Sequence, residues 1–133
     1  MTVADLMVPR DQLPALRKET SLPDVISHLT TGSIGSGWVS DPDQPERLLG
    51  LITDGDLHRT LRDHNSEEWA SLRACHLMTT DPITTTPEVL AVDAIKAMEH
   101  NRRKAISVLP VVNEDQQLQG LLRLHDLVQA GLA

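Results

Sequence analysis

The chain has no Phe, no Tyr and only two Trp among its 133 residues. Any core must therefore come from Leu, Val, Ile, Ala and Met, and the aromatic platforms on which single-stranded nucleic acid stacks are missing. An excess of positive charge is missing as well. Twelve Lys and Arg stand against 19 Asp and Glu, a formal charge of −7, which excludes nucleic-acid binding through phosphates. With a single cysteine, Cys75, no internal disulfide can form, and such sparing thiol use fits a reducing compartment. No apolar run approaches the length of a membrane span, and the opening Met1-Thr2-Val3-Ala4-Asp5 lacks a signal-peptide layout. The sequence reads as soluble and cytoplasmic, with neither nucleic acid nor membrane as partner. Its length suits one compact domain, or two small ones sharing a core, that buries about two-thirds of the unfolded surface.

What is there is organised around Gly50-Leu51-Ile52-Thr53-Asp54-Gly55-Asp56-Leu57. A strand-like apolar run breaks at Thr53 and passes straight into a helical pattern. Thr53 and Asp56 have the spacing of a capping box, in which hydroxyl and carboxylate serve the first turn of a helix. The same turn offers free N–H groups and a positive dipole end, a ready phosphate site, beside a carboxylate able to take two ribose hydroxyls. Both readings stand on this stretch alone.

A second copy shifts the balance toward function. Gly120-Leu121-Leu122-Arg123-Leu124-His125-Asp126-Leu127 keeps the glycine, the apolar pair, the aspartate and the leucine, 70 residues on (126 minus 56). Asp5-Leu6-Met7 pairs with His76-Leu77-Met78, Asp24-Val25-Ile26 with Asp93-Ala94-Ile95, and Val39-Ser40-Asp41 with Val111-Val112-Asn113. Order is preserved throughout, so the chain is a tandem repeat. The division is 1–65 for the first repeat, 66–73 for a charged linker partly helical around Trp69, and 74–133 for the second.

Within each repeat the pattern reads β-α-β-β-α behind a short N-terminal turn. The turn covers Val3 to Met7 in the first copy, closed by Pro9, and Ala74 to Met78 in the second. Thr20 or Ser21 caps a helix with Leu22, Val25, Ile26 and Leu29 on one face. The Gly32 to Gly37 segment follows a helix instead of opening one, so it reads as a C-cap and turn rather than a phosphate loop. Trp38–Ser40 and Arg47–Ile52 form a hairpin, as do Ile106–Val112 and Leu118–Leu122. The helix over 90–101 turns Leu90, Ala94, Ile95, Ala97 and Met98 inward. A helix from His125 to Ala130 closes the chain. The fold class is α+β: two small sheets packed against helices, with pseudo-two-fold symmetry. One unit alone has too little to pack against, which is why there are two.

This repeat, with a Gly-apolar-apolar-Thr-x-x-Asp element closing the first copy, resembles the CBS domain pair, or Bateman module, over residues 3–132. The resemblance implies that Asp56 and Asp126 hold ribose hydroxyls and Thr53 a phosphate, with the base in an apolar cleft between repeats. Arg123 stands where the family has Thr or Ser. The second site is then either empty or uses Arg123 as a charged phosphate contact. Thr53-Asp54-Gly55-Asp56-Leu57-His58-Arg59 and the ending Leu124 to Gly131 are similar to the CBS region of KpsF/GutQ-type arabinose-5-phosphate isomerases. Those enzymes serve the route to a lipopolysaccharide sugar and carry an upstream sugar-isomerase (SIS) domain with the catalytic residues. Nothing in this sequence corresponds to that domain, so no catalytic residue is expected here and the chain reads as a piece of such an isomerase.

The remaining chemistry-bearing residues are weaker candidates. The six histidines lack the spacing of a zinc site and read as surface or capping residues, with His125 singled out for its place beside Asp126. Cys75 next to His76 has no third orienting group and reads as a semi-buried structural residue. Arg102-Arg103-Lys104 suits the C-terminal dipole of the preceding helix, or draws an anionic ligand into the cleft between repeats. The expected ligand is a regulatory nucleotide, either AMP or ATP or a CMP-linked sugar acid, with no required cofactor and no metal. The expected partners are a second copy, through the CBS helices, and the upstream SIS domain. Two alternatives are a ligand-free CBS dimerisation module and a stand-alone adenine-nucleotide sensor.

Overall fold

The computed structural model describes residues 1–31, 35–100 and 106–133. The described chain divides into two compact units: residues 14–82, and residues 1–13 together with 83–133. Sequence periodicity places the first boundary near residue 65, whereas packing assigns each leading segment to the neighbouring repeat's unit.

In the 14–82 unit, helix α2 (Leu22–Thr30) starts at Ser21, whose hydroxyl accepts from the Asp24 N–H, and Pro23 suits its first turn. Leu22, Val25 and Leu29 form its buried stripe. Strands β2 (Ser36–Ser40) and β3 (Leu48–Thr53) pair antiparallel, with a register shift between Val39 and Ser40. Leu16 adds a parallel bridge to Val39. Helix α3 (Asp54–Asp63) follows β3 directly. A 3-10 turn (Ser66–Ser71) and helix α4 (Ala74–Leu77) complete the unit, with the Trp69 indole N–H donating to the His64 carbonyl. Thr79 then bridges antiparallel to Leu51. Leu16, Val25, Leu29, Val39, Ile52, Leu72, Ala74 and Leu77 share one core.

The other unit repeats this plan with its leading pieces taken from the start of the chain. Helix α1 (Val3–Leu6) is hung on the second repeat by the Val3 N–H to the Val89 carbonyl at 2.8 Å and the Ala91 N–H to the Met1 carbonyl at 2.9 Å. Strand β1 (Val8–Pro9) pairs antiparallel with β5 (Leu118–Arg123), Val8 opposite Leu121. On its other edge β5 pairs with β4 (Val108–Val112), again with a one-residue irregularity, between Val111 and Val112. Thr85 bridges to Val111 as Leu16 does to Val39. Helices α5 (Ala91–Glu99) and α6 (Leu124–Gln129) pack on Val3, Leu109, Val111 and Leu122.

Both hairpin turns are fastened by the first polar residue after the strand. The Asp41 carboxylate accepts from the Asp43 N–H, and the Asn113 side-chain oxygen accepts from the Asp115 and Gln117 N–H groups. Glycine is required where β3 and β5 meet their edge partners. A Cβ on Gly50 would lie 2.6 Å from the Met78 sulfur, and one on Gly120 would meet the Val8 carbonyl and, at 2.8 Å, the Met7 sulfur.

Two expectations about the helix near residue 95 are corrected. The helix begins at Ala91, with Leu90 as its extended N-cap, so Leu90 is off the helical stripe and exposed. The buried set is Ala91, Ala94, Ile95 and Met98, the i, i+3, i+4, i+7 series, and it leaves Ala97 on the solvent side. Cys75 is exposed and unpaired rather than semi-buried, because it lies on the outer side of α4 while Ala74 and Leu77 face the core. Gly32, Ser33, Ile34 and the Arg102-Arg103-Lys104 cluster fall outside the described residues. Among the described residues, no helix is long and apolar enough to cross a membrane.

Candidate functional site

The strand β3 hands its last residue, Thr53, to α3 as N-cap, and this junction places the first pair of candidates together. The Thr53 N–H donates to Asp56 Oδ2 at 2.9 Å, and the Asp56 N–H donates to Thr53 Oγ1 at 3.3 Å. The Thr53 hydroxyl also lies 3.1 Å from Asp56 Oδ2. The capping box read from the spacing is therefore present.

Asp56 carries more than a cap. Its residue is only 3% exposed, so an ionised carboxylate there needs donors on every side. Oδ1 accepts from the Arg59 guanidinium and, at 3.3 Å, from the Thr79 hydroxyl. Arg59 remains 43% exposed and keeps its stem at the surface. Thr79 belongs to the segment that also bridges to Leu51, so the carboxylate ties the start of α3 to the edge of its own sheet. A ribose hydroxyl that claims Oδ1 has to displace one of these two donors.

The second pair is arranged differently. Arg123 is the N-cap of α6, and its guanidinium closes on Asp126 in a two-pronged ion pair, Nε to Oδ2 at 2.9 Å and Nη2 to Oδ1 at 2.7 Å. The Arg123 N–H reaches Oδ2 at 3.3 Å, completing the backbone half of the cap. Both side chains are largely covered, 19% and 16% exposed. The hydrogen bond to Asp126 raises the Arg123 guanidinium above its ordinary value against the opposing effect of partial burial. Arg123 is thus turned back onto its own helix, and the charge a phosphate would need is already matched. His125 is exposed on the first turn of the same helix.

Other histidines take structural positions. His64 and His100 place Nδ1 at 2.8 Å from the carbonyls of Thr60 and Lys96, and His76 Nδ1 accepts from the Arg73 N–H at 2.9 Å. Burial lowers the pKa of His28 below its ordinary value. Among the described residues, no group of three His, Cys, Asp or Glu is placed to hold a metal ion.

Sequence reasoning missed Arg59, Thr79 and Ser36. The i, i+3 spacing of Asp56 and Arg59 carried a usable signal. Thr79 had none, since its hydrogen bond to Asp56 spans 23 residues. Ser36 lies opposite Thr53 in the hairpin, a pairing that only the register reveals.

Comparison with known proteins adds three findings. Residues 74–133 match the CBS domain family. The chain is 33% identical over 132 residues to an arabinose 5-phosphate isomerase, KdsD, of Salmonella typhimurium, and 33% identical over 124 residues to KpsF of Escherichia coli. These alignments cover 99% and 93% of this chain but 38% and 35% of the relatives, so the chain spans little more than a third of their length. The crystal structure of CBSX2 in complex with AMP superimposes with a TM-score of 0.79 at 28% identity, over 98% of this chain and 96% of that one.

Proposed function

Since this chain is a CBS domain pair, we propose that it is a regulatory module that binds a nucleotide or nucleotide-sugar and controls a sugar-phosphate isomerase. The observation that carries this reading is the likeness to CBSX2, a protein captured with AMP, across 98% of the chain. The isomerase context is supported by 33% identity to KdsD over nearly the whole chain. Catalysis would belong to an SIS domain outside these 133 residues, acting in the cytoplasm on precursors of a lipopolysaccharide sugar. Thr53 and Asp56 are the proposed ligand contacts, with the exposed Arg59 side chain swinging away when a hydroxyl takes its place on Asp56. Asp126, closed by Arg123, is the poorer site.

A second reading, a ligand-free homodimerisation module, is favoured by a different observation. Both candidate carboxylates are already saturated by protein donors, while Leu90, Val92, Leu124 and Val128 stand exposed at α5 and α6. Thermal unfolding against AMP, ATP, CMP, a CMP-linked sugar acid and arabinose 5-phosphate separates the two. A ligand at a hundred times its Kd adds about 2.7 kcal/mol, several degrees for a chain this size. A shift with the cytidine compound alone supports feedback from the sugar pathway, and one with adenine nucleotides supports an energy sensor. No shift with any, in a chain that sediments as a dimer, leaves the dimerisation module.

A further inference from the structure

We propose that the buried hydroxyl of Ser36 is a ligand-binding group of the first site, reserved for a sugar hydroxyl of the bound nucleotide. The inference rests on the nucleotide-binding reading above and adds to it a residue that reads the sugar. Ser36 is 4% exposed, and its Oγ has no hydrogen-bond partner. A buried hydroxyl without a partner is costly to keep. In the register of β2 and β3 it stands opposite Thr53, the N-cap of the ten-residue helix α3. Opposed residues in an antiparallel pair project to the same face, with Cβ atoms about 5 Å apart. The Ser36 hydroxyl is therefore beside the helix N-terminus.

Its neighbours fix the direction. A Cβ on Gly37 would lie 2.9 Å from Leu16 and 3.1 Å from His28, so the alternate position faces the core and Ser36 faces away from it. The chain enters Ser36 through Gly35, at φ +71°, where a Cβ would lie 3.0 Å from Asp54 Oδ2. The strand start is thereby laid against the first residue of α3.

The second repeat shows that the fold does not require a hydroxyl there. The residue opposite Arg123 is Val108, which is apolar. A polar group kept at the first site alone, without a protein partner, is accounted for by a partner that comes from outside. The charge selects which kind. Asp54 is exposed beside it and Asp56 is already balanced by Arg59, so the local field opposes a phosphate and admits a neutral hydroxyl, which Ser can both donate to and accept from.

The test compares wild type with Ser36→Ala, by thermal unfolding and by titration with AMP, CMP and their 2′-deoxy and 3′-deoxy forms. The free variant is expected to melt no lower than wild type, because an unpaired buried hydroxyl has been removed. Its affinity for the ribonucleotides should fall about 2- to 12-fold, with the preference for ribo over one deoxy form lost. A lower melting temperature in the free variant would overturn the proposal, since the hydroxyl would then have a partner within the protein. Unchanged affinity and unchanged preference in the variant would overturn it while leaving nucleotide binding intact. A wild-type chain that binds none of the six would overturn the underlying reading and this inference together.

Discussion

Replacing Asp56 by Ala tests whether one carboxylate holds the β3–α3 junction together. The substitution removes the cap on the Thr53 N–H and leaves the Thr79 hydroxyl without its acceptor, both at a residue only 3% exposed. A lost cap costs about 1 kcal/mol, and hydrogen bonds to a charged group about 1.5–3 kcal/mol. These terms share one carboxylate and do not add in full. The Arg59 pair contributes little, because its guanidinium keeps access to water. The expected total is about 3 kcal/mol, or roughly 9–15 °C in Tm at this chain length. Asp126→Ala should cost only about 1 kcal/mol, since its carboxylate stays partly wet and serves one backbone donor at 3.3 Å. Urea unfolding followed by circular dichroism measures both, with an unchanged m-value as the check on two-state behaviour. Equal losses in the two variants would refute the argument from burial. A double-mutant cycle with Thr79→Val isolates the long-range bond, and a coupling below the noise would show that Thr79 is a bystander.

Three further outcomes are expected. Gly50→Ala should destabilise by about 1–3 kcal/mol as Met78 is pushed aside, and Gly120→Ala by more, because its nearest obstacle is the Val8 backbone; chemical denaturation giving the reverse order would refute the contact argument. Burial holds the folded-state pKa of His28 below the unfolded value of 6.5, so its contribution is complete above that pH and declines as pH falls through 6.5 toward the folded value; the Tm difference between pH 7.5 and 5.5 should shrink in His28→Gln, and an unchanged difference would clear His28. Arg123→Thr frees Asp126 and restores the hydroxyl present at Thr53, so calorimetric titration with AMP should rise from one ligand per chain to two; a stoichiometry still at one would show that Arg123 is not what closes the second site.

The tandem repeat and the Thr53–Asp56 cap were legible because both are local: spacing along the chain fixes them. The stripe of α5 was legible except at its ends, where Leu90 leaves the helical period and Ala97 falls a third of a turn outside it. What stayed hidden was pairing at long range. A two-residue strand containing a proline, Val8–Pro9, carries no periodic signal, and its partner lies 113 residues on (121 minus 8). Arg123 was recognised as the departure from the repeat, but its destination was not, although an arginine three residues before a carboxylate on a helix start points to a self-contained pair.

The exchange of leading segments also orders events during synthesis. Everything that the 14–82 unit packs into its core lies in one continuous stretch, and its edge bridge from Leu51 to Thr79 closes over 28 residues (79 minus 51). The other unit cannot be completed until β5 has been made, twelve residues before the last one, Ala133, although its edge strand β1 was made almost first. Until then the start of the chain has no sheet to join. The N-terminal segment is thus the earliest part of this protein to be synthesised and among the last to be able to fold.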